Sequence, residues 1–280
     1  MFLSTRNFNL SSGVFVRQWG DPGLDTAVVA VHGMGTHSGR FDKIGSWLAQ
    51  NGVKSYCYDH PGHGLSPGKR GHIDSYEDLL QPLDELLDRV VAEVGADRVF
   101  LFGHSMGGNV ALNYLLRRKP ELAGAVISSP WLKLAFDPPF FKMMLAKWLV
   151  NVFPALKQES KLNVNYISHD REVLKNYDQD PLIHQQITLR FFLEVSKAGL
   201  YALDHASELH IPAFLFHGTD DHITSFEASQ QLSTRSNNIQ FKAWPGCYHE
   251  VHNEWVFDEL MDQTLQFIHQ QINLNLRQSG

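Results

Sequence analysis

Residues 98–120 read RVFLFGHSMGGNVALNYLLRRKP, and the order of residue types within this stretch decides the fold. The apolar run Arg98–Phe102 has strand character. Met106–Lys119 has helical character, with Arg117, Arg118 and Lys119 in its last turn and Pro120 just beyond. Between them Gly103–Gly107 fits GxSxG. A strand, a sharp turn holding a serine and then a helix is the arrangement that presents a nucleophile. The turn is strained, so small residues are needed two before and two after the serine, where Gly103 and Gly107 stand. Met106 can offer its backbone N–H to a developing oxyanion.

GxSxG is expected about 0.1 times by chance in a chain of this composition, yet GLSPG at Gly64–Gly68 fits it too. There the residue after the serine is Pro67, which has no N–H, and polar loop residues flank the match. The nucleophile is therefore Ser105, and Ser66 is a loop serine.

Further strand-like runs are Val14–Trp19, Thr26–Val31, Val53–Tyr58, Ala125–Ser128, Ala213–His217 and Ile239–Trp244. Helical patterns cover Asp74–Val94, which Gly95 stops, and Asn253–Asn273. Strand–helix alternation predicts an α/β fold with a mainly parallel sheet flanked by helices on both faces. From Trp131 to about Leu203 the pattern is helical with no convincing strand, and it is read as an insert over the sheet. It contains FDPPFFKMMLAKWLVNVF at 136–153, for which a buried core helix is the plain alternative.

A serine nucleophile needs a base, and the base an orienting acid, in the order Ser, Asp or Glu, His. The run Ala213–His217 leads into Gly218-Thr219-Asp220-Asp221, and Ile239–Trp244 leads into Pro245-Gly246-Cys247-Tyr248-His249. Both are loops beyond strand ends. His222 and His252 compete with His249, and spacing alone does not choose between Asp220 and Asp221. A second oxyanion N–H comes from the loop after an early strand, here His32-Gly33-Met34-Gly35, with the Met34 backbone as candidate.

Composition excludes other classes. The chain of 280 residues is 43% hydrophobic and 19% charged, enough for a sizeable core. A net charge of -6 shows no basic surplus for nucleic acid. Two cysteines, Cys57 and Cys247, make no disulfide framework. Cys57 reads as core; Cys247 stands near His249, in reach of thiol reagents but without a catalytic role. His60, His63 and His72 lack the HExxH spacing, so neither a metal nor another cofactor is expected. No signal peptide or spanning segment is visible, and a cytoplasmic protein is the expectation.

The motifs together resemble the monoacylglycerol lipase and lysophospholipase branch of the α/β-hydrolases. The resemblance rests on HGMGTHSGR at 32–40, DHPGHGLS at 59–66, GHSMGG at 103–108, DPL at 180–182 and PGCYHE at 245–250. It selects Asp221 over Asp220, selects His249, and carries the oxyanion donors over to the backbones of Met34 and Met106. It implies a core of 1–130 and 204–280 with a helical cap at 131–203. In such enzymes an apolar lid touches a bilayer and admits one acyl chain, so Phe136, Phe140, Phe141, Leu145 and Trp148 become candidate substrate contacts, with peripheral membrane contact through the cap. The implied reaction is hydrolysis of a monoacylglycerol ester through an acyl-enzyme. Lysophospholipase, broad carboxylesterase, aminopeptidase or thioesterase activity, or a ligand-binding receptor, are the alternatives on one fold. Oligomeric state is left open.

Overall fold

The computed structural model describes residues 5–136, 144, 148–160 and 162–278. Strands β1 (Thr5–Asn9), β2 (Phe15–Trp19), β3 (Ala27–Val31), β4 (Lys54–Tyr58), β5 (Val99–His104), β6 (Gly124–Ser128), β9 (Ala213–Gly218) and β10 (Ile239–Trp244) form one sheet in the order β1-β2-β4-β3-β5-β6-β9-β10. From β4 to β10 every pairing is parallel; β1 and β2 are antiparallel additions at one edge. The strands β3, β4, β5, β6 and β9 are buried along their whole length, as β-branched and aromatic runs covered on both faces must be.

Side chains alternate between two cores. Val29, Val31 and Leu101 face one, with α2 (Glu77–Val94), α3 (Met106–Arg118), α5 (Leu189–Asp204) and α6 (Phe226–Thr234) packed on that side. Val28, Ala30, Phe100 and Phe102 face the other, covered by α1 (Asp42–Gln50) and α7 (Phe257–Gln278). A short α4 spans Arg171–Gln179.

The expected strands appear, with boundaries moved by a residue or so. Helix α2 starts three residues late, because the Asp78 carboxylate takes the N–H groups of Asp74 and Ser75 and holds them in a lead-in turn. Strand β1 has no counterpart among the sequence runs: TRNFN is an exposed edge with no apolar pattern. The reading of 131–203 as free of strands needs correction. β7 (Lys157–Glu159) and β8 (Gln186–Thr188) pair antiparallel there, and three-residue strands are too short to show a period.

Helix α5 closes this region and packs as core. Thr188 caps it by accepting from the Phe191 N–H, and Phe191, Val195, Ala198 and Ala202 turn toward α3. From α3, Asn109 donates to Trp131 O (2.7 Å) and Val195 O (3.0 Å), and Asn113 donates to Ala198 O (2.9 Å). No described helix is long and apolar enough to cross a membrane.

Candidate active site

Ser105 follows the last residue of β5, on the central strand pair, and caps α3. Its backbone sits at φ 57, ψ -119, a region a non-glycine residue occupies only under constraint. The constraint is visible: the Ser105 N–H bonds Ser128 O at 2.9 Å, and Ser105 O accepts from Trp131 N at 2.9 Å. A Cβ at Gly107 would stand 1.9 Å from Val31 O, so the turn closes only around glycine.

His249 Nε2 lies 2.9 Å from Ser105 Oγ, and its Nδ1 lies 2.7 Å from Asp221 Oδ2. A carboxylate only accepts, so Nδ1 carries the proton and Nε2 presents its lone pair to the serine hydroxyl. This arrangement can take the Ser105 proton and stabilise the resulting imidazolium. His249 is braced by the segment between β6 and β9: His249 N bonds Tyr166 O at 3.3 Å and Glu250 N bonds Ile167 O at 2.8 Å.

Asp221 is buried, which pushes its carboxyl up. The imidazoles of His249 and His217 outweigh that and hold it well below the usual carboxylate range. Its Oδ1 accepts from the N–H groups of Ile223 (2.7 Å) and Thr224 (3.0 Å). Asp220 is exposed and accepts from Thr219 Oγ1. His222 is exposed against the Tyr166 ring, and His252 is buried beside His104 with ring centroids 4.8 Å apart.

The early turn lies against the serine: a Cβ on Gly33 would be 3.3 Å from Ser105 Cβ. Met34 is the next residue, and Met106 opens α3 with one of the N–H groups that have no intrahelical carbonyl. His32 holds the turn. Its Nε2 accepts from His60 N (3.0 Å), so Nδ1 donates to Gly33 O (2.8 Å). Burial lowers this imidazole to about 3, so it stays neutral in those roles. Gly35, at φ +73, meets His184, whose N–H bonds Gly35 O at 3.0 Å. Nearby His37 Nε2 is 2.8 Å from Asp180 Oδ2 in the DPL turn.

Ser105 and His249 open into a cavity of about 710 Å³, lined mainly by apolar side chains including Trp131, Leu134, Leu149, Leu156, Ile187 and Phe192. Tyr177, His184 and Glu250 give it polar wall. Phe136 also lines it, while Trp148 is 66% exposed and is not among its walls; Phe140, Phe141 and Leu145 lie outside the described residues.

Several groups escape sequence reasoning. His217 is one, with its only signal being its place four residues before Asp221. Another is the Arg40–Glu250 pair at 2.6 Å, joining residues far apart in the chain. His104, Glu250 and His252 form a trio of potential ligand atoms, all within 4.8 Å of one another. A cation there would have to compete with the Arg40 guanidinium and the Asn253 amide for Glu250. The HPGHG loop works as a turn. Asp59 accepts from Ser38 N and Leu65 N, and Ser66 Oγ donates to Asp59 O while accepting from Phe15 N. Cys247 is buried, contrary to the expected reach of thiol reagents, and burial pushes its thiol up to about 12.

A family model described as "Serine aminopeptidase, S33" matches residues 23–255. An uncharacterised abhydrolase domain-containing protein of Dictyostelium discoideum is 33% identical over 249 residues, 88% of this chain; the chain spans 26% of that protein's length. The monoacylglycerol lipase of Mycolicibacterium smegmatis is 29% identical over 230 residues, covering 81% of this chain and 82% of its own. Among solved structures, the monoacylglycerol lipase of Paleococcus ferrophilus superposes with a TM-score of 0.82 at 31% identity, covering 97% of this chain and 100% of that one.

Proposed function

Since the chain belongs to the serine aminopeptidase S33 family, in the monoacylglycerol lipase branch of the α/β-hydrolases, and is a carboxylic ester hydrolase, we propose that it cleaves monoacylglycerols to glycerol and a fatty acid. Ser105 Oγ attacks the ester carbonyl carbon as His249 Nε2 takes its proton. The backbone N–H groups of Met34 and Met106 receive the oxyanion. Collapse breaks the bond to the glycerol oxygen, which leaves with the proton from His249. Water, deprotonated by His249, attacks the acyl carbonyl carbon; the Ser105 Oγ–acyl bond then breaks as His249 returns the proton to Oγ, and the fatty acid departs. Asp221 holds the His249 tautomer throughout.

The observation that carries the substrate class is the lining of the cavity. It is largely apolar beside Ser105, and among the described residues it contains no Lys or Arg. The Arg40 guanidinium, which reaches lining residue Glu250, is bonded to that carboxylate at 2.6 Å. Among the described lining residues, a phosphate-bearing headgroup would meet the buried Glu250 carboxylate and no cation, a costly exchange for its hydration. A neutral glycerol headgroup meets hydroxyl, imidazole and carboxylate partners.

The proposal includes a cap at 131–203 over a core of 1–130 and 204–280. Met144, Trp148, Val152, Phe153 and Leu156 are all more than half exposed. Large apolar side chains grouped in this way support peripheral contact with a lipid surface, from which an acyl chain enters.

The test is fatty-acid release from monoacylglycerols, lysophosphatidylcholine, a p-nitrophenyl ester and an aminoacyl amide at one pH. The proposal expects the monoacylglycerols to lead in kcat/KM; a lead by the lysophospholipid or amide overturns it. Ser105→Ala should lose roughly 10⁴-fold or more in kcat, while Ser66→Ala should retain turnover. No covalent labelling of Ser105 by a fluorophosphonate would favour a binding protein instead.

A further inference from the structure

We propose that His217 is a positioning residue for this hydrolysis, a second imidazole on Asp221 that fixes the carboxylate and moderates its pull on the His249 proton. The inference rests on the reading of Ser105, His249 and Asp221 as nucleophile, base and acid.

His217 is buried in β9, one residue before its end, and its Nε2 lies 2.9 Å from Asp221 Oδ2. That is the same oxygen His249 Nδ1 reaches at 2.7 Å. The side chains of His217 and Asp221 are both fully enclosed. Because the carboxylate only accepts, Nε2 of His217 must carry a proton. Its Nδ1 is 2.8 Å from Ser229 Oγ on α6, a contact that fixes the orientation of the ring. Thr224 Oγ1 also lies 2.9 Å from Oδ2, but it has one proton and Ser129 O stands 3.1 Å away.

Two consequences follow. Asp221 sits on a loop, yet one of its bonds runs to β9, a fully buried strand paired on both sides by β6 and β10, so the carboxylate is registered against rigid backbone. Secondly, two N–H donors share one oxygen. Each weakens the oxygen's hold on the other, so without His217 the carboxylate would hold the His249 proton more tightly. The base would then remain charged, and idle, up to a higher pH.

The surrounding charges are distinct from this contact. His217 faces Asp221, Thr224 and Ser229, with the Phe226 ring edge-on at 5.9 Å and Glu227 close enough to feel its charge. His249 faces Asp221, the ring of His104 from β5 at 4.8 Å, and the charges of His252 and Glu250; Arg40 bonds the last.

The experiment is the pH profile of kcat/KM on a short soluble ester, with kcat and KM separated and the melting temperature measured for every variant. His217→Gln places an amide N–H near the Nε2 position and keeps the bond to Asp221. His217→Asn reaches only toward Ser229, and His217→Leu has no donor. Expected for Asn and Leu is an acidic limb moved upward by roughly half a pH unit or more. Their kcat should fall by roughly tenfold with KM little changed, as a misplaced acid implies. His217→Gln should recover most of both. A merely structural role would lower the melting temperature in all three and leave the limb in place, and that outcome overturns the proposal. If His217→Leu does not fold, the Asn and Gln pair decides. Ser105→Ala and Asp221→Asn are measured alongside: retained turnover in these would reject the underlying reading, whereas their loss with indifferent His217 variants rejects this inference alone.

Discussion

Replacing Gly35 by alanine tests whether the turn beside Ser105 is an oxyanion site held from the segment between β6 and β9. Gly35 has φ +73, and a Cβ there would stand 2.2 Å from His184 O. The left-handed backbone costs an alanine about 1–2 kcal/mol. The overlap cannot be absorbed by a side-chain rotation, because the atom it meets is main chain. Turn and His184 backbone must part by roughly 1 Å to reach ordinary contact, carrying Met34 N–H with them. Loss of one oxyanion donor costs about 10²–10³ in kcat. Gly52 supplies the control: its φ is +79 and nothing lies within 4 Å of its Cβ position. Gly52→Ala pays the backbone cost alone, a few degrees in melting temperature, with full kcat. The assay is the acylation burst with a p-nitrophenyl ester, which isolates the step in which the first oxyanion forms. A Gly35→Ala enzyme within twofold of wild type, or equal kcat losses in both variants, would refute the reasoning.

Asp221→Asn should cost on the order of 10⁴ in kcat, while Asp220→Asn, which removes an exposed carboxylate bonded to Thr219, should change kcat by less than about threefold; equal losses or the reverse ranking contradict the assignment. Burial lowers His32 to about 3 and His252 to about 4 from the ordinary 6.5. Both are neutral when folded and protonate on unfolding, so the unfolded state binds more protons and stability falls as pH drops below 6.5. At about 1.4 kcal/mol per pH unit each, the two together should remove roughly 4 kcal/mol by pH 5. Asp221 does not offset this, since its depressed carboxyl contributes stability that is lost only below the unfolded value of 3.8. A melting temperature that is flat from pH 7 to pH 5 would show these rings are not held neutral. Replacing Trp148 and Phe153, 66% and 58% exposed, with serine should weaken binding to phosphatidylcholine vesicles and spare both the melting temperature and turnover of a soluble ester; parallel loss of all three would place these side chains in a core.

Legibility in the sequence follows how local each determinant is. Ser105 is separable from Ser66 because a proline has no N–H, a property written in one residue. Strands with both faces buried announce themselves as apolar runs, so β3 to β6 and β9 are readable, and the partly exposed edge strand β10 is readable from its apolar and aromatic run, whereas the exposed TRNFN of β1 and the three-residue β7 and β8 are not. The loops that bring Asp221 and His249 to Ser105 are readable as strand ends. Which neighbouring aspartate turns inward is not, because that depends on N–H groups of Ile223 and Thr224 pointing at Oδ1. His217, Arg40 and Glu250 act through partners distant in sequence or through fold-dependent directions, and no spacing encodes them. Of the apolar residues proposed to meet substrate, Phe136 lines the cavity and Trp148 points to solvent; a helical run records that it is apolar, not which side faces what.

The amides that Asn109 and Asn113 extend from α3 to main-chain carbonyls of Trp131, Val195 and Ala198 set a rule for recombining this enzyme with its relatives. A main-chain acceptor is indifferent to the side chain that carries it, so the sequence of α5 can drift while its docking persists. Position matters instead: a Cβ at Gly199 would lie 2.3 Å from Leu132 O, leaving no room for a larger residue. A chimera made to exchange substrate preference should therefore place its junctions inside these anchors, at about 133 and 187. Splicing at about 131 and 203 would replace all three acceptor carbonyls at once while Asn109 and Asn113 stayed in place, and would put the incoming α5 out of register with α3.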